Sequence, residues 1–200
     1  MSFSYLDNKN WRDVTRDERF FCAHLYEHIL GNERDFIKWL NKRKLKDLKP
    51  KHAPVMKENL PKLLEDTNWE VGYEVCFYRD YNKNIRTIKG TRDYYSPKRT
   101  FDLCLFSENT IVIIEAKVHQ LFKKKQIDDL KNDLKCLPDI VGKGVAIYSI
   151  ALASSRYFDD YKTNGRVSLN CFSTRINWLE MHRLYNNDQT LLRAERVYKN

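Results

Sequence analysis

Apolar residues recur at helical spacing early in the chain and crowd into near-continuous runs in its middle. Phe21, Cys22, Leu25 and Ile29 share one face and predict a helix over 15–30, with Gly31-Asn32 as its stop. A second helix is predicted over 33–48 and, beyond a lysine-rich connector holding Pro50 and Pro54, a third over 55–66. Alternation over 69–81 predicts a strand, followed by a long polar insertion that ends near residue 100. The runs 100–107 and 110–119 read as two antiparallel strands joined at Glu108-Asn109. Ile127, Leu130, Leu134 and Leu137 predict a helix over 122–137, stopped by Pro138. The stretch 144–153 is almost wholly apolar, as befits a strand covered on both faces. A further strand over 166–173 and a helix over 175–187 complete the series. The expected class is α/β, a central mixed sheet flanked by helices. Residues 1–200 are expected to form one domain, with a helical part (1–68), a core (69–153) and a C-terminal strand and helix extension (154–200).

That pattern makes three charges stand out. Asp102 interrupts "TFDLCLFS", while Glu115 and Lys117 close "TIVIIEAKVH". Side chains alternate across a strand, so Glu115 and Lys117 share a face, and a tight antiparallel pairing brings Asp102 beside Glu115. Two carboxylates taken from water at close range repel and cost several kcal/mol each. A divalent cation relieves both penalties, because magnesium favours carboxylate oxygens. A lysine beside it makes sense where negative charge develops during a reaction. The triplet acid-x-base alone is weak, expected about five times by chance in a chain this rich in charge. Its place at the end of an apolar strand, one hairpin after an aspartate, gives it weight. The alternative is an ion-pair network at a strand end.

Composition narrows the setting. The chain has 200 residues, a net charge of +9 and an apolar fraction of 42%. Excess Lys and Arg create a field that attracts polyanions, of which nucleic acid is the commonest. No apolar run approaches the ~20 residues that span a bilayer, and the N-terminus lacks the order of a signal peptide, so a cytoplasmic protein with no membrane partner is expected. Five scattered cysteines without C-x-x-C spacing read as small buried hydrophobes in a reducing compartment, not as a zinc site. There is no Gly-rich phosphate loop and no nucleophile elbow around Ser154-Ser155, which argues against NTPase and serine-hydrolase chemistry.

The stretch "SPKRTFDLCLFSENTIVIIEAKVHQ" resembles the PD-(D/E)XK nuclease superfamily, with its restriction-endonuclease-like fold. Asp102 matches the first acid, Glu115 the second and Lys117 the lysine, whereas Pro97 is not adjacent to Asp102. The likeness covers 15–30 and roughly 69–153. It implies magnesium or manganese and hydrolysis of a nucleic-acid phosphodiester, with DNA favoured over RNA. On that reading Asp102, Glu115 and the Ala116 carbonyl hold the metal and Lys117 orients the attacking water. Glu18 matches the early-helix carboxylate that such enzymes resemble one another in supplying. It also completes a Thr15-Arg-Asp-Glu18 capping box, so both roles stand open. Glu27 lies on the opposite face of that helix. Gln126 resembles a glutamine near the site in related nucleases, although Leu130 stands where the RecB-like branch has tyrosine.

Other expectations concern substrate contact. Lys98, Arg99, Lys123, Lys124, Lys125 and Gln126 are the candidate nucleic-acid contacts. The insertion over 79–100 carries seven Lys/Arg (79, 83, 86, 89, 92, 98 and 99) interleaved with Tyr81, Tyr94 and Tyr95, a mixture suited to phosphates and stacked bases. Solvated surface residues are the alternative for each. His24 and His28 read as surface helix histidines, and His119 as a weak proton-transfer candidate. A non-catalytic nucleic-acid-binding module and an inactive nuclease-fold subunit are the competing functions. A homodimer would suit double-strand cutting.

Overall fold

Aliphatic and β-branched residues dominate the strands, and apolar stripes mark the helices that cover them. The computed structural model describes residues 11–42, 68–84, 99–164 and 169–198. The helices are α1 (Trp11–Val14), α2 (Glu18–Ile29), α3 (Glu33–Asn41), α4 (Phe77–Asn84), α5 (Lys124–Val141), α6 (Ser155–Asn164), α7 (Trp178–Leu184) and α8 (Gln189–Val197). The strands are β1 (Glu70–Val75), β2 (Phe101–Phe106), β3 (Thr110–Ala116), β4 (Ala146–Ala153) and β5 (Thr174–Asn177). They form one sheet in the order β1-β2-β3-β4-β5. The β1–β2 and β2–β3 pairs are antiparallel, and the β3–β4 and β4–β5 pairs are parallel. The fold is therefore α/β, a five-stranded mixed sheet flanked by helices.

Burial explains why the central strands read as continuous apolar runs. Every residue of β3 is buried, as is every residue of β4 after Ala146. Leu103, Leu105, Val112, Ile114, Ile150 and Leu152 face a core shared with α2, α3, α7 and α8. Cys104, Ile111, Ile113 and Ala151 face a second core filled by α4, α5 and α6. A sheet covered on both faces leaves no position for solvated alternation.

The structure corrects three expectations. The strand expected over 69–81 ends at Val75, and Phe77–Asn84 is helical. Phe77 and Tyr78 are both buried, Phe77 against Phe101 and Phe106, so a helical turn satisfies apolar neighbours that alternation had mimicked. Pro138 lies inside α5, which runs on to Val141 and caps at Gly142 with φ 111°. A proline so near the end forfeits little, and Gly142 N donates to the Pro138 carbonyl at 3.0 Å. Leu169–Ser173 is not a strand; Leu169 and Phe172 plug the second core from a loop, and β5 follows. Finally, α6 and α8 carried no expectation. Buried Glu195 on α8 accepts from Ser154 Oγ, Ser155 N and Leu179 N, so it caps the starts of both α6 and α7. Residues of α6, α7 and α8 lie in the two cores. The helix expected over 55–66, the end of that over 33–48, and residues 85–98 of the insertion lie outside the described residues.

Candidate active site

The C-terminal end of β3 gathers the charges. Asp102 near the start of β2 accepts from Ala116 N at 2.7 Å. The next residue, Lys117, donates through Nζ to Glu18 Oε1 at 2.8 Å and to its neighbour's carbonyl, Ala116 O, at 2.6 Å. Glu18 Oε2 also accepts from Val118 N at 3.3 Å. Glu18 can do this because it opens α2, directly above the sheet end, while Phe21, Cys22 and Leu25 anchor the helix in the core. The helix is capped by Asp17, which accepts from Arg19 N at 3.0 Å, and Thr15 Oγ1 accepts from Asp17 N. The described side-chain contacts of Glu18 are thus with Lys117 and Val118, and Asp17 is the N-cap of its helix.

Glu115, one step along the Leu103↔Ile114 register and so opposite Asp102, is held by a different set of partners. Its Oε1 accepts from Arg99 Nη2 at 2.7 Å, and Arg99 Nε donates to Asp133 Oδ2 at 2.9 Å. Tyr78 OH donates to the other Asp133 oxygen. Arg99, expected to face nucleic acid, is thus turned inward, its guanidinium also 4.8 Å from the Phe101 ring centroid. Sequence reading missed Asp133, although it carries the same signal as Asp102: an acid amid the apolar stripe of its own element, here α5. It also missed Glu74, whose φ of 52° is rare for a residue with a side chain. Glu74 interrupts the β1–β2 register between Tyr73↔Leu103 and Val75↔Phe101, and its charge acts on Asp102.

Burial dominates the electrostatics. Desolvation pushes the Asp102 carboxyl up to about 6, with Glu18 adding repulsion and Lys117 opposing it. Desolvation and then Asp102 push Glu115 up to about 8, against the pull of Arg99. Desolvation works to discharge Lys117, but Glu18 and Asp102 outweigh it, so the ammonium is held charged. The same competition holds Arg99 charged through Glu115 and Asp133. Four carboxylates (Glu18, Asp102, Glu115 and Asp133) therefore face two cations, leaving an excess of two negative charges when all are ionised.

That imbalance tests the fit of a divalent cation. The donors are hard oxygens, they are under-neutralised, and the Ala116 carbonyl lies among them, which suits magnesium or manganese. With Lys117 on Glu18 and Arg99 on Glu115, the carboxylates of Glu18, Asp102 and Glu115 do not close to within 4.8 Å as a set. Among the described residues, only His24, His28 and Asp188 do so as a trio. His24 and His28, expected as surface histidines, are partly exposed and share Asp188 as a partner.

The remaining candidates lie at the margin. Lys123, Lys124 and Lys125 are exposed at the start of α5. Gln126 Oε1 accepts from Lys123 N at 3.1 Å and so caps its own helix. His119 lies against the Arg16 carbonyl, 3.0 Å from it. Lys98 is outside the described residues. All five cysteines are free, and no helix among the described residues is long and apolar enough to cross a membrane. No family model, curated protein or solved structure matches the chain.

Proposed function

We propose that the protein is a magnesium- or manganese-dependent nuclease acting on DNA. The observation that carries this reading is the buried acidic excess at the end of β3, with a charged lysine set among the acids. Asp102, Glu115, Glu18 and the Ala116 carbonyl would hold the cation. When bound, the cation supplies Lewis acidity to the scissile phosphate. Lys117 is kept cationic and aimed by Glu18, so it serves as a proton donor in hydrogen bonds to the attacking water and to phosphate oxygens. Trp178 Nε1 donates to the Lys117 carbonyl at 2.9 Å and fixes the backbone from which that side chain projects. Exposed Lys123, Lys124 and Lys125 stand just past this strand end, where they can meet the backbone of a polyanion.

A second reading has its own support. Arg99 and Lys117 each find carboxylate partners, as a static ion-pair network in a nucleic-acid-binding module would require. Incubation with plasmid, single-stranded DNA and RNA, each with magnesium, manganese or chelator, separates the two. The nuclease reading expects cleavage that chelation abolishes. Binding without cleavage under every metal condition establishes the module instead.

A further inference from the structure

On the α2 face away from the acids, two histidines one turn apart converge on a single carboxylate oxygen. His24 Nε2 lies 3.0 Å from Asp188 Oδ2, and His28 Nε2 lies 3.2 Å from the same atom. One ligand atom from each residue falls within 4.8 Å of the others. From this geometry we propose that His24, His28 and Asp188 form a binding site for a zinc-class divalent transition ion, separate from the acidic centre.

The separations suit such an ion. Metal–nitrogen and metal–oxygen bonds of about 2.1 Å at tetrahedral angles put neighbouring ligand atoms about 3.4 Å apart. The two observed separations, 3.0 and 3.2 Å, are within a few tenths of that edge. Two imidazoles and a carboxylate also form the donor set that zinc-class ions prefer, unlike the all-oxygen set around Asp102.

The surroundings hold the ligands in place. Asp188 caps α8 through Oδ1, which accepts from Leu191 N at 2.9 Å, so Oδ2 alone is left to the imidazoles. The His28 ring stacks on Tyr185 at 4.7 Å between centroids, and His24 meets His28 edge-on at 4.8 Å. His24 Nδ1 lies 3.9 Å from Glu27 Oε2, the side from which a carboxylate can accept the second ring proton while Nε2 ligates. Arg193, which lines the adjoining cleft of about 600 Å³ with His24, Arg12 and Glu27, has partners of its own. It donates to the Thr15 carbonyl and lies over the Phe20 and Phe21 rings. The three ligand side chains are 19–30% exposed, so water can complete a fourth position. Bound there, the ion would clip α2 to α8.

Equilibrium dialysis against zinc, with cobalt(II) absorption as a second readout, tests this on the full chain. Wild type and Asp102→Asn should both retain one equivalent, and cobalt should show the visible bands of a tetrahedral site. His24→Gln/His28→Gln should lose that equivalent. Asp188→Asn, which keeps the capping oxygen, should weaken binding by more than the roughly 10–100-fold that loss of a supporting partner costs. Failure of wild type to hold stoichiometric zinc overturns the proposal, as does retention by the folded double variant. Loss on Asp102→Asn but not on Asp188→Asn would place the ion at the acidic centre and equally refute it.

Discussion

Glu115 and Asp102 are acids that the fold has made reluctant to ionise, and this has a measurable consequence. Their ordinary values, 4.5 and 3.8, rise to about 8 and about 6 in the folded chain. Between those limits the folded state binds more protons than the unfolded one, so stability falls as pH rises. Thermal melts of the metal-free protein should show a Tm that declines from about pH 5 to about pH 8. The slope should approach 1.4 kcal/mol per pH unit for each group titrating. Manganese should restore much of the loss at the upper end, where the carboxylates are free to bind it. A flat profile without metal would contradict the buried-acid account. Lys117 offers the sharper test of chemistry: Lys117→Ala should cut cleavage by about a hundredfold or more while leaving nucleic-acid binding nearly intact. Both effects originate in charges that the sequence exposes plainly, because a charge inside an apolar run must find a partner. Arg99 was not legible in that way. A basic residue at the end of a basic loop reads as solvent-facing until Glu115 and Asp133 are seen on either side of it.

At the scale of elements, the site depends on helices that meet a strand end. The indole of Trp178, fully buried at the start of α7, is what joins that helix to the Lys117 backbone. Trp178→Phe keeps most of the apolar bulk but leaves the carbonyl without its donor. It should cost about 1–3 kcal/mol in denaturant unfolding and lower cleavage more than binding. Glu18 acts in the same manner from α2. Its helix was visible from periodicity, and its acid was visible on the apolar face. Its destination was not, since a capping box and a cross-sheet contact begin with the same four residues. Elsewhere the apolar pattern misled. Phe77 and Tyr78 gave the alternation of a strand but pack from a helix, and Leu169 and Phe172 pack from a loop. Burial demands apolar residues without specifying the backbone that delivers them.

For the whole molecule, the net charge of +9 sets the expected response to ionic strength. If exposed cations such as Lys123, Lys124 and Lys125 grip phosphates, binding should weaken linearly in a plot of log affinity against log salt. Neutralising one of them should reduce the slope by roughly one unit on duplex DNA. Fluorescence anisotropy with labelled duplex measures this directly. A slope unaffected by changing all three lysines would remove them from the interface. The two-sided cover of the sheet has a related effect. It leaves β3 no solvated face, so the charges near its end gather where α2 and α5 approach from opposite sides.

The sequence by itself determined the α/β class, the buried central strands and three of the charges at the candidate centre. These follow from local rules: periodicity, and the cost of placing an ionised group among apolar neighbours. Only the tertiary structure decided that Glu18 reaches Lys117, that Arg99 and Asp133 attend Glu115, and that His24 and His28 meet Asp188. Those contacts join residues 16 to 164 positions apart. Such distances close only when packing brings separate elements together, and nothing in a local pattern encodes which elements those will be.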